Sequence, residues 1–306
     1  MKKLLVLILS VSLMVACLSG CNSSSKTEDT AETTDASNTT ETVATETAPT
    51  EGEVSETLQK LREKDTIVIA GSGTAPFGFI DTETNEMKGI DLEISIAIAN
   101  KLGISNVEYK QATFDNLISE LESGKCDVVS SAMYIKEERQ KKVDFSNVYY
   151  KEGEGILYKE SSGYTCLEDM KGAVCAIEQG SGYANVAEQY KKDGILKDIA
   201  VCPSIDETVL SLKSNKADVA MADNVALAYI NSKDENSGMV LLENYEMQYA
   251  GNIGAAFPKG ERDFIEEWNK ALTELKEDGT IMKIMEKYGL DENFFVEVGE
   301  DVTVNP

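Results

Sequence analysis

The sequence predicts an α/β protein of two similar lobes, and three observations carry that prediction. Residues 89–132 and 180–223 align without a gap at a constant offset of 91, and ten of the 44 positions are identical, where composition alone gives roughly three. Strand-like and helix-like segments alternate within each copy, the pattern of parallel sheets flanked by helices. Two extended stretches, 143–151 and 249–257, lead from one copy to the other and back, so two connections join the lobes and a hinge is physically reasonable.

The elements follow in chain order. Residues 66–70 form a β-branched run stopped by Gly71-Ser72-Gly73, a buried strand feeding a loop. After Gly89, Asp91 stands where a helix cap belongs; Leu92, Ile96, Ala99 and Leu102 share one face, and Gly103 closes the helix. Asp115 starts a second helix carrying Leu117, Ile118 and Leu121, Gly124 ends it, and 127–131 is a strand. The copy repeats the order with a helix from about 182 to 192 before Gly194, a helix over 206–212 and a strand over 218–222. Residues 264–288 are helical, with Trp268, Leu272 and Leu275 at core spacing, a break at Gly279 and an end at Gly289. The expected division is lobe 1 over 58–152, lobe 2 over 153–250, and a return to lobe 1 with carboxy-terminal helices over 251–306.

Two charges stand out against this register. Asp223 closes the second copy, and Arg139 lies seven residues beyond the end of the first. Parallel sheets place their ligands at the carboxyl ends of strands. A carboxylate on one lobe facing a guanidinium on the other suits a small zwitterion held between them.

The amino terminus predicts export. Lys2 and Lys3 precede an apolar run that ends at Leu18-Ser19-Gly20-Cys21; the run is short for a bilayer span, and its charged start and small-residue end fit a signal peptide over 1–20. Residues 22–57 hold eleven Thr and nine Asp or Glu with no aromatic residue, a composition that cannot offset chain entropy, so a disordered linker is expected. Without Lys2 and Lys3 the chain has 27 basic against 54 acidic side chains, a formal charge of −27. That argues against nucleic acid as a partner. The absence of histidine removes His-based triads and His metal sites. Cys126, Cys166, Cys175 and Cys202 lack CxxC spacing, which argues against zinc; export permits a disulfide, but spacing chooses no pair.

Taken together, the segments Ala75-Pro76-Phe77-Gly78-Phe79-Ile80-Asp81, Gly89-Ile90-Asp91-Leu92, Asp127-Val128-Val129, Glu138-Arg139, Val143-Asp144-Phe145-Ser146, Gln179-Gly180-Ser181-Gly182, Asp218-Val219-Ala220-Met221-Ala222-Asp223 and Glu277-Asp278-Gly279-Thr280 resemble, in order and spacing, the bacterial extracellular solute-binding proteins of the polar amino-acid type. The resemblance covers about residues 60–290 and implies a two-lobed periplasmic-binding-protein type II fold, each lobe a mixed sheet flanked by helices, with a two-strand hinge. It implies a receptor that binds a free amino acid and delivers it to an ABC-type permease. In the same way, Leu18-Ser19-Gly20-Cys21 resembles a lipobox, implying a diacylglyceryl and palmitate-bearing anchor on Cys21 at the extracytoplasmic face of the membrane. No cofactor, metal or catalytic residue is expected, and the expected state is a monomer.

Site residues follow from the same resemblance. Arg139 matches the arginine that grips the ligand α-carboxylate, a bidentate contact lysine does not reproduce. Asp223 matches the acid that receives the α-ammonium, and Ala132 a position offering its carbonyl to that group. Ser181 and Gly182 match a helix start whose free N–H groups favour a carboxylate, and Phe114 an aromatic packed on the ligand side chain. Three positions depart from the pattern. Tyr134 replaces a Ser or Thr, leaving only its backbone N–H to serve; Thr74 replaces an aromatic; Gly71 replaces an acid that contacts a basic ligand tail. Glu178 lies where it can reach the ligand side chain, which would favour a cationic or amide group. Rival readings are a cyclohexadienyl or arogenate dehydratase on the same fold and a receptor for a non-amino-acid ligand.

Overall fold

A computed structural model describes residues 55–300, apart from 235 and 244. The signal peptide, Cys21 and the linker up to residue 54 lie outside the described residues. Within them the first half of the chain runs α1 (Glu56–Lys64), β1 (Thr66–Gly71), a small hairpin of β2 (Phe79–Ile80) and β3 (Met87–Lys88), α2 (Ile90–Lys101), β4 (Asn106–Gln111), α3 (Leu117–Glu122), β5 (Val128–Val129), α4 (Glu137–Gln140), β6 (Val143–Phe145) and β7 (Tyr150–Glu152). The second half runs β8 (Glu154–Lys159), β9 (Ala173–Glu178), α5 (Ala184–Lys192), β10 (Leu196–Cys202), α6 (Ile205–Lys213), β11 (Val219–Asp223), α7 (Asn224–Ser232) and β12 (Met239–Leu241). The chain then returns through β13 (Gly251–Ile253), β14 (Ala256–Pro258), α8 (Arg262–Glu277) and α9 (Thr280–Lys287).

These strands form two five-stranded sheets of matching topology, β4-β1-β5-β14-β6 and β10-β9-β11-β8-β12. In each, three strands are parallel and the next is antiparallel: β14 beside β5, and β8 beside β11. The repeat seen in the sequence therefore has a physical counterpart. Adding 91 carries α2 onto α5, β4 onto β10, α3 onto α6 and β5 onto β11. A separate antiparallel ribbon, β7 with β13, lies where the chain passes between the sheets, pairing Tyr150 with Ile253 and Glu152 with Gly251.

The core explains most of the local choices. Trp268 is fully buried on α8, edge-on to Phe257 and Phe264 with centroids 5.3 and 5.9 Å away. Its indole N–H donates to the Tyr149 hydroxyl at 2.9 Å, so the ring buries a large apolar surface without an unmet donor. Gly103, Gly124, Gly194 and Gly279 each take a positive φ just past or just before a helix, where a Cβ would be strained.

Several expectations are corrected. Asp91 does not cap α2; the N-cap is Gly89, and Asp91 sits inside the first turn, fully buried. The apolar face is wider than a single stripe, because Ile90, Leu92, Ile94, Ile98 and Ala99 are all buried while Ile96 is only half-buried. The sheet covers one side of α2, and α8 and α9 pack on it as well. The helix expected from 182 begins at Ala184. α1 starts at Glu56, capped by the Ser55 hydroxyl, so the final residues assigned to the linker belong to the folded body. The four described cysteines are free thiols. Cys175 is buried, and burial pushes its thiol up to about 12; Cys202 is half-buried.

Candidate functional site

The two sheets point their carboxyl ends at one another, and polar contacts cross between them. Arg139 is carried by the short α4 and is 7% exposed. Its Nη1 donates to the Tyr134 carbonyl in its own half at 2.9 Å, and its Nη2 donates to the Gly180 carbonyl of the other half at 2.9 Å. The guanidinium lies 5.3 Å from the centroid of the Phe114 ring, a cation–π contact that holds the plane of the group. Its other N–H groups have no acceptor among the described residues. Lys136 crosses in the same direction, donating to the Gly182 carbonyl at 2.9 Å over the Tyr249 ring. Burial disfavours the charge on both cations.

The facing side is acidic. Asp223 ends β11, is 5% exposed, and accepts a hydrogen bond at 3.0 Å from the Tyr134 hydroxyl of the opposite half. Burial raises its carboxyl, while the bond from Tyr134 and the charge of Arg139 pull it back. Glu178 ends β9 and is buried, which pushes it up to about 8; the charge of Asp223 adds to the rise and the Ile205 amide opposes it. Glu152 ends β7 in the ribbon and is raised by burial and then by the charge of Asp223. Asp91 accepts from the Ala132 N–H at 3.1 Å and the Tyr150 hydroxyl at 2.7 Å. Burial raises it to about 7.

Buried polar atoms nearly always find a partner. The buried side-chain atoms without one among the described residues are both oxygens of Glu152, Oε1 of Glu178, Oγ of Ser181 and the hydroxyls of Tyr183 and Tyr249. They converge on one region. Tyr249 packs on Tyr134 at 5.1 Å between centroids, and Tyr183 feels the charges of Asp223, Glu178 and Glu152. A Cβ on Gly182 would stand 2.9 Å from the Tyr134 ring and 3.1 Å from Tyr249, so only glycine lets the halves approach this closely.

The structure brings Arg139, Asp223, Tyr134, Phe114, Ser181, Gly182 and Glu178 to this place. Phe114 belongs to the lobe 1 core and underlies the guanidinium at the same time. Ala132 adopts φ +46, and its N–H is committed to Asp91. Thr74 is buried and accepts from the Ser72 hydroxyl at 3.1 Å. Ser181 corrects its expectation: its N–H donates to the Glu178 carbonyl at 3.3 Å and so is not free. Tyr134 also departs from it, since its carbonyl and hydroxyl make the contacts above. At Gly71 the space a side chain would enter is filled by Tyr109, whose hydroxyl would lie 2.5 Å from a Cβ.

Glu152, Asp91, Lys136, Tyr183 and Tyr249 escaped the sequence reading. Asp91 reads as a cap and Lys136 as a surface charge until tertiary contacts bury them. Glu152 followed by Gly153-Glu154-Gly155 gave one usable signal, an acid at the junction between lobes. Among the described residues no group of three or more Cys, Asp or Glu is arranged to hold a metal ion.

Residues 67–291 match the family model of the bacterial extracellular solute-binding proteins, family 3. The arginine-binding extracellular protein ArtP of Bacillus subtilis is 30% identical over 227 residues, covering 74% of this chain and 86% of that protein. The glutamine-binding protein GlnH of an ABC transporter in the same organism is 28% identical over 238 residues, covering 76% and 84%. Among solved structures, an ancestral arginine-binding protein bound to arginine superposes with a TM-score of 0.67 at 34% identity, covering 74% of this chain and 99% of that one.

Proposed function

Because the chain belongs to family 3 of the bacterial extracellular solute-binding proteins, we propose that it is the amino-acid receptor of an ABC importer, working outside the cytoplasm, and that its ligand carries a second positive charge. The ligand carboxylate docks on Arg139, whose free N–H groups suit a planar two-oxygen acceptor. Closure about the β7–β13 ribbon brings Asp223 onto the α-ammonium, and excluding water strengthens each contact. The β7–β13 ribbon then marks the boundary between lobe 1 and lobe 2. A membrane permease recognises the closed form, and lipidation of Cys21 would keep the receptor beside it.

The observation that carries this reading is the set of unpartnered buried oxygens around Arg139 and Asp223. Carboxylates and hydroxyls of this kind are costly to bury unless a ligand completes them. Charge then selects the ligand class. Pairing the ligand carboxylate with Arg139 and its ammonium with Asp223 leaves Glu178 for the ligand side chain, a buried carboxyl whose ionised form a guanidinium or a second ammonium stabilises. Glu178, with one oxygen unmet, is the group placed to receive it.

A thermal-shift screen against the twenty amino acids, ornithine, citrulline and cystine tests the proposal. Arginine, lysine and ornithine should raise Tm most, since a ligand that binds only the folded state stabilises it by mass action. No shift with any amino acid would sink the receptor reading; a larger shift with glutamate than with arginine would sink the charge argument. Incubation with prephenate or arogenate should give no product, as expected for a receptor.

A further inference from the structure

We infer that Glu152 is a second carboxylate of the ammonium site, sharing one proton with Asp223 until a ligand ammonium displaces it. The inference rests on the amino-acid reading above. Glu152 closes β7 at the ribbon between the lobes and is 3% exposed. Neither of its oxygens meets a donor among the described residues, and the backbone sets it beside Asp223: Asp223 pairs with Glu154 across β11 and β8, and the Asn224 N–H donates to the Gly153 carbonyl at 2.9 Å. Two ionised carboxylates have only acceptors to offer each other, so the contact requires a proton. Like charges held this close in a buried site cannot both ionise.

The surroundings decide which oxygen carries it. Asp223 also accepts from the Tyr134 hydroxyl and feels the Arg139 charge, both of which favour its ionised form. Glu152 instead faces Asp223 from β11 and Asp91 from α2, both of which disfavour its charge. The phenols of Tyr134, Tyr150 and Tyr183 complete the neighbourhood. Glu152 therefore holds the proton and donates to Asp223. A ligand ammonium reaching Asp223 brings three donors to the pair. Glu152 then ionises, its proton leaves to solvent, and both carboxylates accept from the ammonium. Binding consumes no other reactant, and affinity rises with pH until the pair is ionised in the free protein.

Calorimetry of arginine binding at pH 7 in buffers of different ionisation enthalpy counts the protons released. The wild-type protein should release up to about one proton more than Glu152→Gln, which keeps a donor for Asp223 but has no proton to lose. Glu178→Gln should keep the release that belongs to the pair. Equal release from wild type and Glu152→Gln overturns the inference. A second measurement needs no ligand. A folded-state carboxyl raised above its unfolded value gives stability that is fully present below the unfolded value and lost as pH rises through the folded one. Thermal unfolding from pH 5 to 8 should therefore show wild-type Tm falling relative to Glu152→Gln. Parallel curves overturn the shared proton even if no amino acid binds, and failure to bind any amino acid counts against the receptor reading alone.

Discussion

The two lobes share a topology but spend equivalent positions differently. At an offset of 91, Asp91 of lobe 1 corresponds to Gly182 of lobe 2, and Ala132 to Asp223. In lobe 1 the carboxylate lies inside a helix and is consumed by the Ala132 N–H and the Tyr150 hydroxyl. In lobe 2 the helix start has no side chain, the strand end carries the carboxylate, and Asp223 reaches across to Tyr134. One lobe uses its acid to fix its own loop; the other presents its acid to the cleft. The cations are distributed in the opposite sense, with Arg139 and Lys136 projecting from lobe 1 onto carbonyls of lobe 2. The duplication supplies the scaffold, and the proposed ligand contacts lie where the copies differ.

Five substitutions probe that asymmetry. Arg139→Ala should weaken amino-acid binding by about 3 kcal/mol or more, over roughly 100-fold, because a buried ligand carboxylate loses its partner; Asp223→Asn should cost somewhat less, since its amide still meets the Tyr134 hydroxyl. Calorimetry measures both, and near-native affinity in Arg139→Ala would break the comparison. Gly182→Ala should weaken binding about tenfold, because the added methyl would stand 2.9 Å from the Tyr134 ring of the opposite lobe. Tyr134→Phe removes one cross-lobe hydrogen bond and should cost about 1 kcal/mol, roughly fivefold in Kd.

Glu178 gives the most pH-dependent effect. Its folded-state carboxyl is raised to about 8, so the stability it contributes is full below its unfolded value, near 4.5, and lost as pH rises toward 8. Ligand-free wild-type protein should lose Tm relative to Glu178→Gln over that window. A constant difference between the two would show that Glu178 is solvated.

Much of this was legible in the chain. The repeat, the strand–helix alternation and the glycines with positive φ depend on local sequence, and α2, α3, α5, α6, β1, β11, α8 and α9 appear close to where periodicity puts them. The edge strand β4 was missed because its alternation is brief: only Val107 and Tyr109, both half-buried, alternate with the exposed Asn106 and Glu108. β8 was hidden for the opposite reason: its buried run reads equally as strand or helix interior. Within the site, Arg139 and Asp223 were marked by register. Glu152, Lys136 and the hydroxyl role of Tyr134 were not, since each depends on a partner at least 46 residues away or in the other half of the molecule. No local rule assigns an acid at a lobe junction to the interior; only the tertiary packing does.

The most direct test is a crystal structure of the protein with arginine bound. The account predicts the ligand carboxylate on the Arg139 guanidinium of one lobe and the α-ammonium on Asp223 of the other. Either side chain turned to bulk solvent, with the amino acid held by other groups, would contradict it.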